Sequence, residues 1–94
     1  MTKADIVSLI AKKTGLEKVA VQEVVETFMV VMKESMGAGK NVYLRGFGSF
    51  IIKRRAEKTG RNISKNTTVI IPAHNIPSFK PSKTFMNLVK KQVK

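Results

Sequence analysis

The stretch from Val42 to Ile71, VYLRGFGSFIIKRRAEKTGRNISKNTTVII, changes character three times, and those changes decide the fold. Val42 and Leu44 alternate with Tyr43 and Arg45, Gly46-Phe47-Gly48 supplies a turn, and Phe50 and Ile52 then alternate with Ile51 and Lys53. A period of two on both sides of a glycine turn predicts an antiparallel hairpin with one face on a core. Across residues 53–66 there is very little to bury, and six residues are Lys or Arg. Thr67-Thr68-Val69-Ile70-Ile71 then returns as a β-prone run. Two strand-like runs flanking a polar turn predict a β-ribbon arm, about residues 53–76, that leaves the body. At ~3.3 Å per residue, such an arm reaches roughly 30 Å.

Local chemistry refines that arm. Asn66 is the expected left-handed tip residue. Lys53, Arg55, Lys58 and Arg61 are spaced so that several share one side of a twisted ribbon, with a bulge near Gly60 correcting the register. Pro72 cannot donate to a ladder, which places it on a sheet edge or at a bulge. Asn75 to Phe79 returns to the sheet, with Ile76 and Phe79 as core candidates.

Upstream the period is helical. Thr2-Lys3-Ala4-Asp5 has the form of a capping box opening a helix over about 3–13, with Ile6, Leu9 and Ile10 on one face and Gly15 as its stop. A second helix, Lys18 to about Met36, carries Val21, Val24, Val25, Phe28, Met32 and Met36 at helical spacing, and Met29, Val30 and Val31 widen that stripe. A helix apolar on more than one side needs more than one neighbour, so a second subunit is expected to cover what the first helix does not. Gly37-Ala38-Gly39 provides its C-cap. Pro81 and Ser82 open a last helix, Lys83 to about Val93, with Phe85, Leu88 and Val89 apolar. The expected fold class is therefore α+β: two N-terminal helices, a three-stranded antiparallel sheet extended into a ribbon arm, and a short C-terminal helix. Residues 1–94 are expected to form a single domain.

Charge is divided as sharply as structure. The net charge is +12, yet residues 1–36 hold five basic and five acidic residues, so the whole excess lies after Met36, where Glu57 is the one carboxylate side chain. Such a field attracts polyanions, and nucleic acid is the commonest in a cytoplasm. Without cysteine, neither a disulfide nor a thiolate metal site staples this short chain. No run approaches the ~18 apolar residues of a membrane span, and the first residues do not read as a secretory signal. Catalysis needs convergent acid, base or nucleophile groups, and with one histidine, His74, the sequence assembles none. No cofactor, metal, membrane or small-molecule substrate is expected.

Gly46-Phe47-Gly48-Ser49-Phe50, then Arg55-Ala56-Glu57-Lys58-Thr59-Gly60-Arg61-Asn62, and finally Asn75-Ile76-Pro77-Ser78-Phe79-Lys80-Pro81-Ser82-Lys83 resemble the bacterial histone-like HU and integration host factor family along essentially the full chain. The family is itself a standing example of minor-groove proteins that bend DNA with apolar wedges. The resemblance implies an intertwined dimer with two arms embracing duplex DNA, in the nucleoid of a bacterial cytoplasm. It implies body contacts to phosphates from Lys3, Gly46, Ser49 and Lys83, and groove contacts from Arg55, Lys58, Arg61, Asn62 and Ile63. Lys53, Lys65 and Lys80 join the expected DNA-binding set. The family places proline after the Arg-Asn pair; here Ile63 takes that place as the expected intercalating wedge. The tip Ser64-Lys65-Asn66-Thr67 also departs from the family's glycine-containing turn.

Little on the arm suits the bidentate pairs that read bases in the major groove, so binding with little sequence specificity is expected. Three other readings stay open at this stage. One is a subunit of a sequence-selective heterodimer with a paralogue. A second is an RNA-associated basic protein, although one tyrosine and no tryptophan make a poor stacking platform. The third is a purely structural dimer, which leaves the cationic arm unexplained.

Overall fold

A computed structural model describes residues 1–62 and 67–93. Helix α1 (Lys3–Thr14) opens with the reciprocal capping box: the Asp5 amide donates to Thr2 Oγ1 at 3.3 Å and the Thr2 amide to Asp5 Oδ2 at 2.9 Å. It stops at Gly15, whose amide returns to the Ala11 carbonyl. Helix α2 (Lys18–Gly37) ends in a Schellman closure: Lys40 N–H reaches the Ser35 carbonyl and Gly39 N–H the Met36 carbonyl, each at 3.0 Å.

Strands β1 (Val42–Leu44), β2 (Gly48–Arg55) and β5 (His74–Pro81) form an antiparallel sheet in the order β1-β2-β5, and β3 (Lys58–Asn62) pairs with β4 (Thr67–Ile71) as a separate two-stranded ladder. The central strand pairs Tyr43 with Ser49 on one side and Ser49 with Lys80 on the other. Alternation therefore gives one face Tyr43, Ser49, Lys53, Arg55 and Lys80, and the other Val42, Leu44, Phe50, Ile52 and Phe79. Helix α3 (Lys83–Gln92) follows β5 directly. The α+β class and the expected order of elements hold.

Two local expectations need correction. No bulge occurs at Gly60, which pairs with Val69 in an unbroken register from Lys58↔Ile71 to Asn62↔Thr67. The ladder breaks instead at Ala56-Glu57 opposite Pro72-Ala73, because Pro72 has no N–H to donate. The expected tip residue Asn66 lies outside the described residues.

The core departs further from expectation. Val7 and Val21 are the only buried apolar side chains among the described residues. Of the α2 stripe, Val25, Met32 and Met36 are half-buried, while Val24 is 68% and Phe28 47% exposed. Of the sheet candidates, Ile76 is half-buried and Phe79 is exposed. Phe79 nonetheless sits in an aromatic cluster, 4.8 Å from Phe50 and 5.3 Å from Phe47, with Phe85 stacked 5.2 Å from Phe47. The reason is arithmetic of surface. The chain exposes 8261 Å² where a compact monomer of its mass exposes about 5,400 Å². Its radius of gyration is 18.7 Å, against about 12 Å for a compact chain of this length. Periodicity identified which side chains are apolar; one copy of the chain does not supply the surface that buries them.

Gly48, the buried residue where β2 leaves the turn, is a point of close approach. A Cβ there would stand 2.6 Å from both the Lys80 carbonyl oxygen and the Phe79 ring. Gly48→Ala is expected to cost about 1–3 kcal/mol through overpacking against backbone. Thermal unfolding at fixed protein concentration checks this; an unchanged midpoint contradicts it.

Candidate nucleic-acid interface

The turn between β1 and β2 is built to sit beside the start of α3. Gly46 holds φ +81, a left-handed conformation that favours glycine, and Phe47 N–H closes on the Leu44 carbonyl at 2.9 Å. Ser82 then ties turn to helix with three hydrogen bonds. Its amide donates to the Phe47 carbonyl at 2.9 Å, and its hydroxyl donates to the Gly46 carbonyl at 3.0 Å. The same oxygen accepts from the Phe85 amide at 3.2 Å, capping α3.

That tie forms one wall of a shallow concavity of about 390 Å³ lined by Tyr43, Arg45, Gly46, Ser49, Lys80 and Lys83, among others. Four sequence-predicted body residues, Gly46, Ser49, Lys80 and Lys83, thus converge. Lys83 stands in the first turn of α3, where helix amides carry partial positive charge, so side chain and helix end favour the same anion. Sequence reasoning missed Arg45 and Tyr43. For Tyr43 the signal was present: strand alternation puts it on the side opposite half-buried Val42 and Leu44, whereas Arg45 lies in the turn that follows.

Lys3 is placed elsewhere. Its Nζ pairs with Glu26 Oε1 at 2.8 Å across α1 and α2, and Gln22 Nε2 donates to the same oxygen at 3.4 Å. The hydrogen bond from Lys3, followed by that from Gln22 and the Lys3 charge, lowers the Glu26 carboxyl below its ordinary value. A depressed carboxylate pKa means that the pair contributes at neutral pH and is lost as pH falls through the folded-state value. Both side chains are about half-exposed, so the pair holds Lys3 loosely.

On the arm, Lys53 and Arg55 are exposed two residues apart on one face of β2, opposite Ile76 and His74, with Arg54 on the other face opposite Asn75. Lys58 is exposed where β3 begins. Positions 58 and 61 are three apart in an unbroken ladder and fall on opposite faces. Lys53 and Arg55 share one side, and the four positions do not all do so. Arg61 and Asn62 lie in β3 opposite Thr68 and Thr67. Ile63 and Lys65 lie outside the described residues.

The described residues contain no His, Cys, Asp and Glu grouping able to hold a metal ion. His74 is exposed, with its Nδ1 3.0 Å from the Pro72 carbonyl oxygen. No described helix is long and apolar enough to cross a membrane.

A family model described as "Bacterial DNA-binding protein" matches residues 1–90. The chain belongs to this family. The chain is 37% identical to the DNA-binding protein HU of Thermus thermophilus over 97% of its length and 94% of that protein's. It is 39% identical to integration host factor subunit beta of Marinobacter nauticus, over 100% of this chain and 97% of that one. Among solved structures, an Anabaena HU–DNA cocrystal structure superposes with a TM-score of 0.89 at 31% identity, covering both chains completely. As a member of the HU and integration host factor family, the chain is an architectural DNA-binding protein and not an enzyme.

Ser82→Ala removes the cap of α3 and the hydroxyl tie to Gly46, and is expected to cost about 1 kcal/mol. Equilibrium denaturation measures it, and a loss below a few tenths would mean that the tie contributes nothing.

Proposed function

We propose that two copies of this chain form an intertwined dimer that clasps duplex DNA between its arms, bends it, and compacts it with little sequence specificity in the nucleoid of a bacterial cytoplasm. Residues 1–94 act as one domain, with about 53–76 as the arm. The carrying observation is the pairing of an open, apolar body with a cationic ribbon that has no core of its own. Val24, Phe28, Phe47, Leu88 and Val89 stay exposed in a single chain, and a second copy is the economical cover for them. Apolar area at ~25 cal/mol per Å² makes that association strongly favourable.

In this reading the phosphates of the bent duplex meet Gly46, Ser49, Lys80 and Lys83 at the concavity, and Lys3 once it leaves Glu26. The arm tracks the minor groove with Lys53, Arg55, Lys58, Arg61, Asn62 and Lys65. Ile63 wedges between base pairs, where unstacking of a few kcal/mol is offset by the contacts that the bend permits. Affinity comes chiefly from counterion release, and preference follows deformable or already bent DNA.

A second reading rests on one observation: identity to an integration host factor subunit is as high as identity to HU. In it, the chain is half of a sequence-selective heterodimer with a paralogue. Binding of the chain alone to random and defined duplexes separates the two readings, since strong discrimination or failure to self-associate favours the heterodimer.

The function is tested by salt-resolved binding to duplex DNA with RNA as competitor; clear RNA preference overturns it. Arg61→Ala is expected to weaken binding and flatten the slope of log affinity against log salt by about 0.9, one phosphate's share. An unaltered slope would remove Arg61 from the phosphate contacts. Ile63→Ala is expected to reduce bending more than binding, read by fluorescence transfer between labelled duplex ends. An unchanged end-to-end distance removes the wedge.

A further inference from the structure

Tyr43 is the single tyrosine of the chain and stands 69% exposed on β1, an edge strand of the sheet. It shares its face with Ser49 and Lys80, its lateral neighbours across β2 and β5. Its phenol is held: Asn41 Nδ2 lies 3.3 Å from Tyr43 Oη, and Asn41 Oδ1 accepts the Ile52 amide at 3.0 Å.

The direction of this short chain of hydrogen bonds is fixed at its first link. A backbone N–H only donates, so the Asn41 atom facing Ile52 is the carbonyl oxygen. The other end of that amide is then NH₂, which only donates, so the phenol oxygen accepts from it. The phenol's own proton is left to point away from Asn41. The relay thus ends in an oriented O–H donor with no acceptor assigned to it among the described residues. Tyr43 also lines the concavity whose charged lining groups are Arg45, Lys80 and Lys83. Among the side chains lining that concavity there is no carboxylate to accept it. The acceptor that fits such a donor in a cationic setting is an anionic oxygen.

We propose that Tyr43, oriented by Asn41, is a DNA-contacting residue that donates to a backbone phosphate and lays its ring against the adjoining sugar, extending the binding face past the turn to the free edge of β1. The inference rests on the DNA-binding reading above and adds a neutral contact to a face otherwise built of cations. A neutral donor releases no counterion, so its share of affinity survives added salt.

The protein carries its own probe, because Tyr43 is its only strong ultraviolet fluorophore. Acrylamide, a neutral quencher, reads the accessibility of the ring in the unmodified full-length protein, free and saturated with duplex DNA. Tyr43 is expected to be accessible in the free protein and at least about twofold less quenched in the complex. Tyr43→Phe, which keeps the ring at an exposed position, is expected to retain the unfolding midpoint and bind roughly three- to tenfold more weakly, with the salt slope unchanged. Asn41→Ala is expected to lose part of the same affinity by freeing the phenol. Shielding already present in the free protein would assign Tyr43 to a subunit contact and overturn the inference. So would a complex in which quenching is unchanged, or a Tyr43→Phe protein that binds as tightly as wild type. Failure of the wild-type protein to bind duplex DNA would instead sink the DNA-binding reading itself.

Discussion

Apolar burial is the constraint on which the rest of this structure depends. A chain of 94 residues has little interior to begin with, and this one spends nearly half of its length on helices that leave much of their apolar surface exposed. Helix α2 packs against α1 and the start of β1, which accounts for buried Val21 and leaves Val24 and Phe28 open. The Phe47, Phe50, Phe79 and Phe85 cluster joins the turn, the sheet and α3, yet two of its rings remain substantially exposed. In the proposed dimer a second copy supplies the missing neighbour, and folding and assembly would then be one equilibrium whose position depends on protein concentration.

The arm solves the opposite problem. It carries polar residues that no core would accept, so its order comes from the ladder between β3 and β4. Continuity with the body is provided by β2 and β5, which stay paired as far as Arg55 and His74. The interruption at Ala56-Glu57 and Pro72-Ala73 separates a sheet anchored on the body from a ribbon that projects from it. Such a break is a natural place for the ribbon to change direction relative to the sheet, since the hydrogen bonds that would resist bending are absent there.

Much of this was legible in the sequence, for identifiable reasons. Capping residues and 3.6-residue periodicity located the helices, because Thr2, Gly15, Gly39 and Ser82 act on their own neighbours. The alternation around Gly46 located the hairpin, and with it the convergence of Gly46 and Ser49. Breaks in pairing were harder: glycine at position 60 suggested a bulge, whereas the constraint that operates is the missing N–H of Pro72. Burial was harder still, since a sequence shows which face of a helix is apolar and not what covers it. The Lys3–Glu26 pair joins residues on different helices, and nothing local to either announces the other. Tyr43 is legible from the alternation of β1, which puts it opposite Val42 and Leu44, whereas Arg45 lies in the turn, where no periodicity announces it.

The distribution of charge now has a structural sense. The acidic residues other than Glu57 belong to the helical N-terminal part, where Asp5 caps α1 and Glu26 neutralises Lys3. The uncompensated cations belong to the sheet, the arm and α3, so that part of the free protein is self-repelling. That repulsion opposes compactness until a polyanion is bound, and a duplex removes it while supplying contacts. Binding and stability are therefore linked: whatever duplex DNA neutralises it also stabilises, by mass action and by relief of repulsion together. Salt acts on both sides of the balance, screening the repulsion in the free protein while weakening the contacts in the complex. The neutral contact proposed for Tyr43 would stand outside this trade, since a donor without charge releases no counterion.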